Sequence, residues 1–129
     1  MKMPVKILII EDQSNNMRLI GQIIEDIDDE ILVSTATTGE KALLLAKDTI
    51  FDLVLSDISL PDMDGMMISE KIKSYSGYEM TPFIAVTAYA GLNDEGKFRQ
   101  YFEDYISKPI DEDLLIVKIK KWLGDKLHE

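Results

Sequence analysis

The sequence predicts an α/β domain, a single parallel sheet of five strands with helices on both faces. Three observations carry this. Short runs rich in Val, Ile and Leu alternate with segments of helical periodicity, five times over. The runs are apolar with few polar breaks, as strands covered on both sides require. Strand–helix alternation of this kind builds a parallel sheet through right-handed crossovers. The 129 residues suit one domain with a real hydrophobic core. No linker, low-complexity tract or internal repeat interrupts them.

The strands are read at residues 5–10, 31–35, 53–56, 83–87 and 105–107. Met17, Ile20, Ile23, Ile24 and Ile27 recur at helical spacing after the first. Thr37 and Glu40 stand at capping-box spacing before a second helix that carries the run 42–46. A third helix is read at residues 66–75, behind Gly65. A fourth, within residues 92–101, has a poor apolar stripe and contains Gly96, which costs about 1 kcal/mol relative to Ala. Leu115, Ile119, Trp122 and Leu123 stripe the last helix, with Asp111 as its cap.

Composition narrows the function. Lys and Arg number 14 against 24 Asp and Glu, a net charge of −10. That argues against direct contact with nucleic acid or an anionic membrane, both of which need basic surface. There is no Cys, which excludes disulfide scaffolds, thiolate zinc sites and thiol catalysis. One histidine, His128, argues against a catalytic His or a multi-His metal site. The apolar run at residues 7–10 is too short for a bilayer span or a secretory signal. The chain is read as cytoplasmic.

Ligands of open parallel sheets bind at the carboxyl ends of the strands. Glu11 and Asp12 follow the first strand and Asp57 the third; Thr87 ends the fourth, and the fifth runs into Lys108-Pro109. Three carboxylates together repel, so they call for a cation. With only oxygen ligands on offer, Mg²⁺ is the natural ion, shared with phosphate oxygens. Thr87 and Lys108 add a hydroxyl and a fixed positive charge, and the set suits phosphoryl transfer. Singly, each element reads as a loop, a cap or a surface charge. The residues 60–65 alone are a turn, and Met66-Met67 alone reads as core. Their joint occurrence at the ends of different strands makes the case.

On these residues the chain resembles the receiver domain of two-component response regulators, of the chemotaxis-regulator type. Glu11-Asp12, Asp57, the 60–65 turn, Thr87-Ala88 and the stretch from Tyr105 to Ile110 carry the resemblance. Spacings of 45, 30 and 21 residues separate Asp12, Asp57, Thr87 and Lys108. It covers essentially the whole chain, so residues 1–129 are expected to form one receiver domain. It implies a doubly wound, flavodoxin-like (βα)5 fold with strand order 2-1-3-4-5. It implies that Asp57 accepts a phosphoryl group from a sensor histidine kinase or histidine phosphotransfer protein. It implies Mg²⁺ (or Mn²⁺) on Asp12, Asp57, the Ser59 carbonyl and, through water, Glu11. Lys108 would pair with the phosphoryl oxygens, and Thr87 and Tyr105 would form the switch. Lys108-Pro109 would be cis. The face formed by the fourth helix, fifth strand and last helix would act on a downstream protein, a signalling switch and not a turnover enzyme.

Tyr101 departs from the pattern, since the family often has Gly there. Ser59 and Tyr89 occupy positions that vary and tune phosphoryl lifetime. Other α/β classes fit worse. A flavoprotein needs a phosphate-cradling loop where Glu11-Asp12-Gln13 stands. A haloacid-dehalogenase-type phosphatase needs an acid at position 59, which is Ser. P-loop and dinucleotide-binding domains need a Gly-rich turn, and none is present. A phosphorylation-independent interaction module with the same fold is the alternative. Whether the chain stands alone or belongs to a hybrid kinase or longer regulator is left open.

Overall fold

Alternating side chains divide the strands between two cores. In β1 (Lys6–Ile10), Ile7 and Ile9 enter one core while Leu8 and Ile10 enter the other. The same alternation runs through β3 (Leu53–Ser56) and β4 (Phe83–Thr87), whose residues are all buried. Period-two alternation with both sets apolar is the mark of a sheet covered on both faces. The computed structural model describes residues 4–88, 96 and 98–127. Two further strands, β2 (Leu32–Ala36) and β5 (Asp104–Ser107), complete a five-stranded parallel sheet in the order β2-β1-β3-β4-β5.

Helix α1 (Ser14–Ile27) buries Ile20, Ile23 and Ile24 against the Ile7–Ile9 face. The C-terminal helix α4 (Glu112–Leu123) buries Leu115, Ile119 and Leu123 on that face, with Trp122 half-buried beside them. Helices α2 (Gly39–Asp48) and α3 (Gly65–Lys73) cover the opposite face through Ala42, Ala46, Ile68 and Ile72. Each fully buried Ile or Leu contributes about 1.5–3 kcal/mol, so these stripes hold the layers together.

Several expectations need correction. The second and fifth strands are not wholly buried. Leu32, Val33 and Thr35 are exposed, and β5 keeps only Ile106 buried. Both strands lie at sheet edges with one neighbour each, so their outer flanks meet solvent. Helix α2 is capped by Thr38, not Thr37: the Thr38 hydroxyl accepts from the Lys41 amide at 3.2 Å. Helix α3 begins at Gly65 and ends at Lys73, with Ser74 and Tyr75 in the turn that follows. Of the Met66-Met67 pair, only Met66 is core; Met67 is exposed.

Half of the span 92–101, in which a helix is expected, lies outside the described residues, as does Tyr89. Residues 96 and 98 are helical, and Phe98 is buried. The turn after it closes without glycine. The Tyr101 and Phe102 amides both donate to the Phe98 carbonyl, and the Ser69 hydroxyl donates to that of Tyr101. Tyr101 does not take a positive φ, so the absence of Gly costs nothing there. Asp111 caps α4 as expected, accepting from the Leu114 amide at 3.1 Å. Among the described residues no helix is long and apolar enough to cross a membrane.

Candidate metal centre at the strand ends

The strand order reverses between β1 and β3, because the chain leaves β1 for one edge and returns to build the other. The carboxyl ends flanking this point form the crevice where such sheets bind ligands. The ladder holds the first residue beyond each strand. The Glu11 amide donates to Ala36 O at 3.0 Å, and the Asp57 amide donates to Ile10 O at 2.9 Å. Glu11 and Asp57 are thereby fixed side by side and buried, with Asp12 exposed in front. One carboxylate oxygen from each of the three lies within 4.8 Å of the others.

Lys108 enters from the end of β5. Its amide donates to the Thr87 carbonyl at 2.9 Å, and the Lys108–Pro109 peptide is cis. Its Nζ reaches Asp57 Oδ2 at 3.1 Å and Glu11 Oε1 at 2.8 Å. The contact with Glu11 is an ion pair by distance, but Oε1 accepts no aligned hydrogen bond. The other oxygen, Oε2, accepts from the Gln13 amide at 3.1 Å. Burial raises the Glu11 pKa and outweighs the lowering by Lys108 and the Gln13 amide. Burial works against the Lys108 charge too, yet the two carboxylates prevail and its pKa is raised. One ammonium thus balances a site that still holds excess negative charge.

The loop from β3 to α3 wraps Asp57. Asp57 Oδ1 accepts from the Ser59 amide at 3.2 Å. Ser59 bridges to Asp64, and the Gly65 amide donates to Ile58 O at 2.7 Å. A Cβ on Gly65 would stand 2.3 Å from the Asp57 carbonyl oxygen, so only glycine allows this approach. Asp64 caps α3 through the Met66 amide at 2.6 Å. Asp62 reaches back to helix α2, accepting from the Gly39 and Glu40 amides at 2.8 and 2.9 Å.

Thr87 is fully buried at the end of β4. Tyr105 is half-buried on β5, with Lys118 Nζ 5.0 Å from its ring centre. Glu11, Asp12, Asp57 and Lys108 are therefore brought together, Ser59 directly adjoins them, and Thr87 is joined to Lys108 through the backbone. Two features escaped the sequence reading. One is the tie from Asp62 to α2. The other is the set of bonds around Asp104, which Lys118 and Trp122 both reach. An all-oxygen donor set with surplus negative charge fits a hard divalent cation such as Mg²⁺.

The response regulator receiver domain family matches residues 7–120. The polar-differentiation response regulator DivK of Brucella anthropi is 40% identical over 124 residues, which cover 95% of this chain and 99% of that protein. The signal transduction histidine-protein kinase BarA of Escherichia coli K12 is 36% identical over 115 residues. That alignment takes in 88% of this chain but 12% of the kinase. Among solved structures, the receiver domain of a sensor histidine kinase from Pseudomonas aeruginosa PAO1 is similar. It has a magnesium ion coordinated in its active-site cleft, a TM-score of 0.83 and 27% identity, over 95% of this chain and all of that one. A CheY-like receiver domain protein of Methanospirillum hungatei gives a TM-score of 0.84 and 30% identity, covering 96% and 97% of the two chains. Fold, carboxylate cluster and sequence likeness agree over nearly the whole chain, which belongs to the response regulator receiver domains of two-component signalling.

Proposed function

We propose that Asp57 is the phosphoryl acceptor of this receiver, supplied by a sensor histidine kinase or histidine phosphotransfer protein. One observation carries the reading: the buried Asp57 lies in a cluster with Glu11 and Asp12 and 3.1 Å from the Lys108 ammonium. In the transfer, an Asp57 carboxylate oxygen attacks phosphorus. The O–P bond forms as the P–N bond to the donor histidine breaks, and the electron pair stays on the imidazole nitrogen. Asp12, Asp57, the Ser59 carbonyl and, through water, Glu11 would hold Mg²⁺ or Mn²⁺, which neutralises charge on the phosphoryl oxygens. Lys108 pairs with the same oxygens once they are in place.

The acyl phosphate carries about −1.5 to −2 charge and adds strong acceptor oxygens. Thr87 is the hydroxyl that meets them, and Tyr105 follows it inward. The face formed by β5, α4 and the preceding helical segment then changes shape, and a downstream protein reads it. Residues 1–129 act as a single receiver domain in the cytoplasm, a switch that promotes its own phosphorylation and dephosphorylation without turning over a substrate. The net charge of −10 supports protein partners over nucleic acid or membrane.

Incubation with acetyl phosphate and Mg²⁺ tests the acceptor. One acid-labile phosphoryl group per chain is expected, lost with Asp57→Asn and without metal. Equal labelling of the variant would overturn the assignment and leave a phosphorylation-independent module.

A further inference from the structure

We infer that Asp62 is a positioning residue for the metal site, holding the loop that carries the Ser59 carbonyl against the first turn of helix α2. The inference rests on the metal reading above and extends it to a residue outside the ligand set.

The inner side of the β3–α3 loop is bonded to itself, through the Ser59–Asp64 bridge and the Gly65–Ile58 hydrogen bond. In its outer limb, from Leu60 to Met63, the end residues Leu60 and Met63 are half-buried against the core, while Pro61 and Asp62 between them are exposed. An exposed tip of this kind carries its own conformational entropy unless something fixes it. Asp62 supplies the fixation. Its two carboxylate oxygens each accept one amide of α2, from residues 23 and 22 positions earlier in the chain.

Those two amides belong to the first turn of a helix, where donors lack partners within the helix. Thr38, the cap of α2, takes the Lys41 amide on its hydroxyl and the Ala42 amide on its carbonyl, so Gly39 and Glu40 depend on Asp62. The positive end of the helix favours a carboxylate there. The Asp62 pKa is lowered, first by the Gly39 and then by the Glu40 hydrogen bond, so the tie persists at neutral pH. Packing reinforces it. A Cβ on Gly39 would stand 2.3 Å from Met63 Cγ and 2.9 Å from Ile68 Cδ1. Met63 therefore lies directly over Gly39. Two successive loop residues, one by hydrogen bonds and one by contact, seat on the same helical turn.

The anchor lies three residues beyond Ser59. Releasing it loosens the tip and leaves part of the ordering of the Ser59 carbonyl to the metal itself, at a cost in affinity. Outer supports of this kind are typically worth 10–100-fold in metal binding. For an exposed anchor the lower end applies, so about a tenfold weakening is expected.

The test is titration of the full chain with Mg²⁺ alone, followed by amide NMR shifts, with exchange of the Ser59 and Leu60 amides as a second readout. Asp62→Ala should raise the Kd for Mg²⁺ about tenfold and speed exchange at those amides. Asp62→Asn, which keeps one acceptor oxygen, should fall between. Thr38→Ala weakens the same helix end without touching the loop, and should lower thermal stability while leaving the Kd unchanged. The inference is overturned if Asp62→Ala binds Mg²⁺ as tightly as wild type, or if Thr38→Ala weakens binding equally. If the wild-type chain and Asp12→Ala both fail to bind Mg²⁺, the metal reading itself falls and this inference falls with it.

Discussion

Lys108 Nζ lies 3.1 Å from Asp57 Oδ2, joining residues 51 positions apart across the strand ends. The same ammonium lies 2.8 Å from Glu11, whose side chain is 1% exposed. Removing the ammonium leaves two buried carboxylates without their cation. Glu11 already binds its proton more tightly in the fold than in the unfolded chain, because burial raises its pKa. A raised carboxylate pKa makes stability fall as pH rises from the unfolded value through the folded one. Lys108→Met removes the attraction that opposes this rise. In the absence of divalent metal it should cost about 1–3 kcal/mol at about pH 8 and clearly less at about pH 5. Urea unfolding at the two pH values measures it. An equal loss at both would show that Glu11 does not carry the strain.

A divalent cation should relieve the same repulsion. Binding only the folded state raises stability by about 2.7 kcal/mol at a hundredfold excess over Kd. Thermal melts with millimolar Mg²⁺ should shift upward for the wild type, with little change for Asp12→Ala. Asp12 is the exposed member of the cluster, so its loss removes a proposed ligand without opening a cavity. A wild-type melt that ignores Mg²⁺ would refute the centre.

The central strands were legible because both sets of their alternating side chains are apolar, as Ile7 through Ile10 show. The edge strands were less so. β2 and β5 carry apolar residues that a run of Val, Ile and Leu does not separate into buried and exposed. The site was legible for a simpler reason: Glu11, Asp12, Asp57 and Lys108 each follow a strand end, and a parallel sheet gathers such ends. Long-range ties left no local mark. Asp62 sits in a Pro-Asp turn that signals only a turn, and its partners lie in a helix more than twenty residues earlier. Thr37 and Thr38 offer the same hydroxyl, and only the path of the backbone chooses between them as the cap.

Two glycines make opposite predictions. At Gly65 a Cβ would meet the Asp57 carbonyl oxygen at 2.3 Å and Ile58 Cα at 2.7 Å. Both are backbone atoms, so neither can step aside as a side chain does. Gly65→Ala should cost about 1–3 kcal/mol and displace the β3–α3 loop. At Gly21, within α1, a Cβ would meet nothing within 4 Å. Gly21→Ala should be stabilising by about 0.5–1 kcal/mol, the usual gain of Ala in a helix interior. Denaturant midpoints of the two variants settle the contrast. A tolerated Gly65→Ala would mean that the loop is not held as tightly as its contacts imply.

The last prediction concerns the far end of β5. Lys118 Nζ lies 2.7 Å from Asp104 Oδ1 and 2.6 Å from the Tyr105 carbonyl, and Trp122 Nε1 donates to Asp104 Oδ2 at 2.9 Å. One residue of β5 thus anchors α4 beside Tyr105. Burial is the largest influence on the Asp104 carboxyl and raises its pKa. The hydrogen bonds from Lys118, Trp122 and the Tyr105 amide, with the Lys118 charge, together outweigh it, and the pKa is lowered. A lowered carboxylate pKa contributes stability above the unfolded value, about 3.9, and loses it as pH falls through the folded value. Asp104→Asn removes the charge while keeping an oxygen for Trp122. It should cost about 1–2 kcal/mol at neutral pH, as loss of a charge-assisted hydrogen bond does. The gap from wild type should close as the pH drops through the acid range below about 3.9. Trp122 is the only tryptophan, so its fluorescence follows both unfolding and the loss of this contact. A gap that stays constant from neutral pH down into that range would show that the Asp104 charge does not hold α4 to β5.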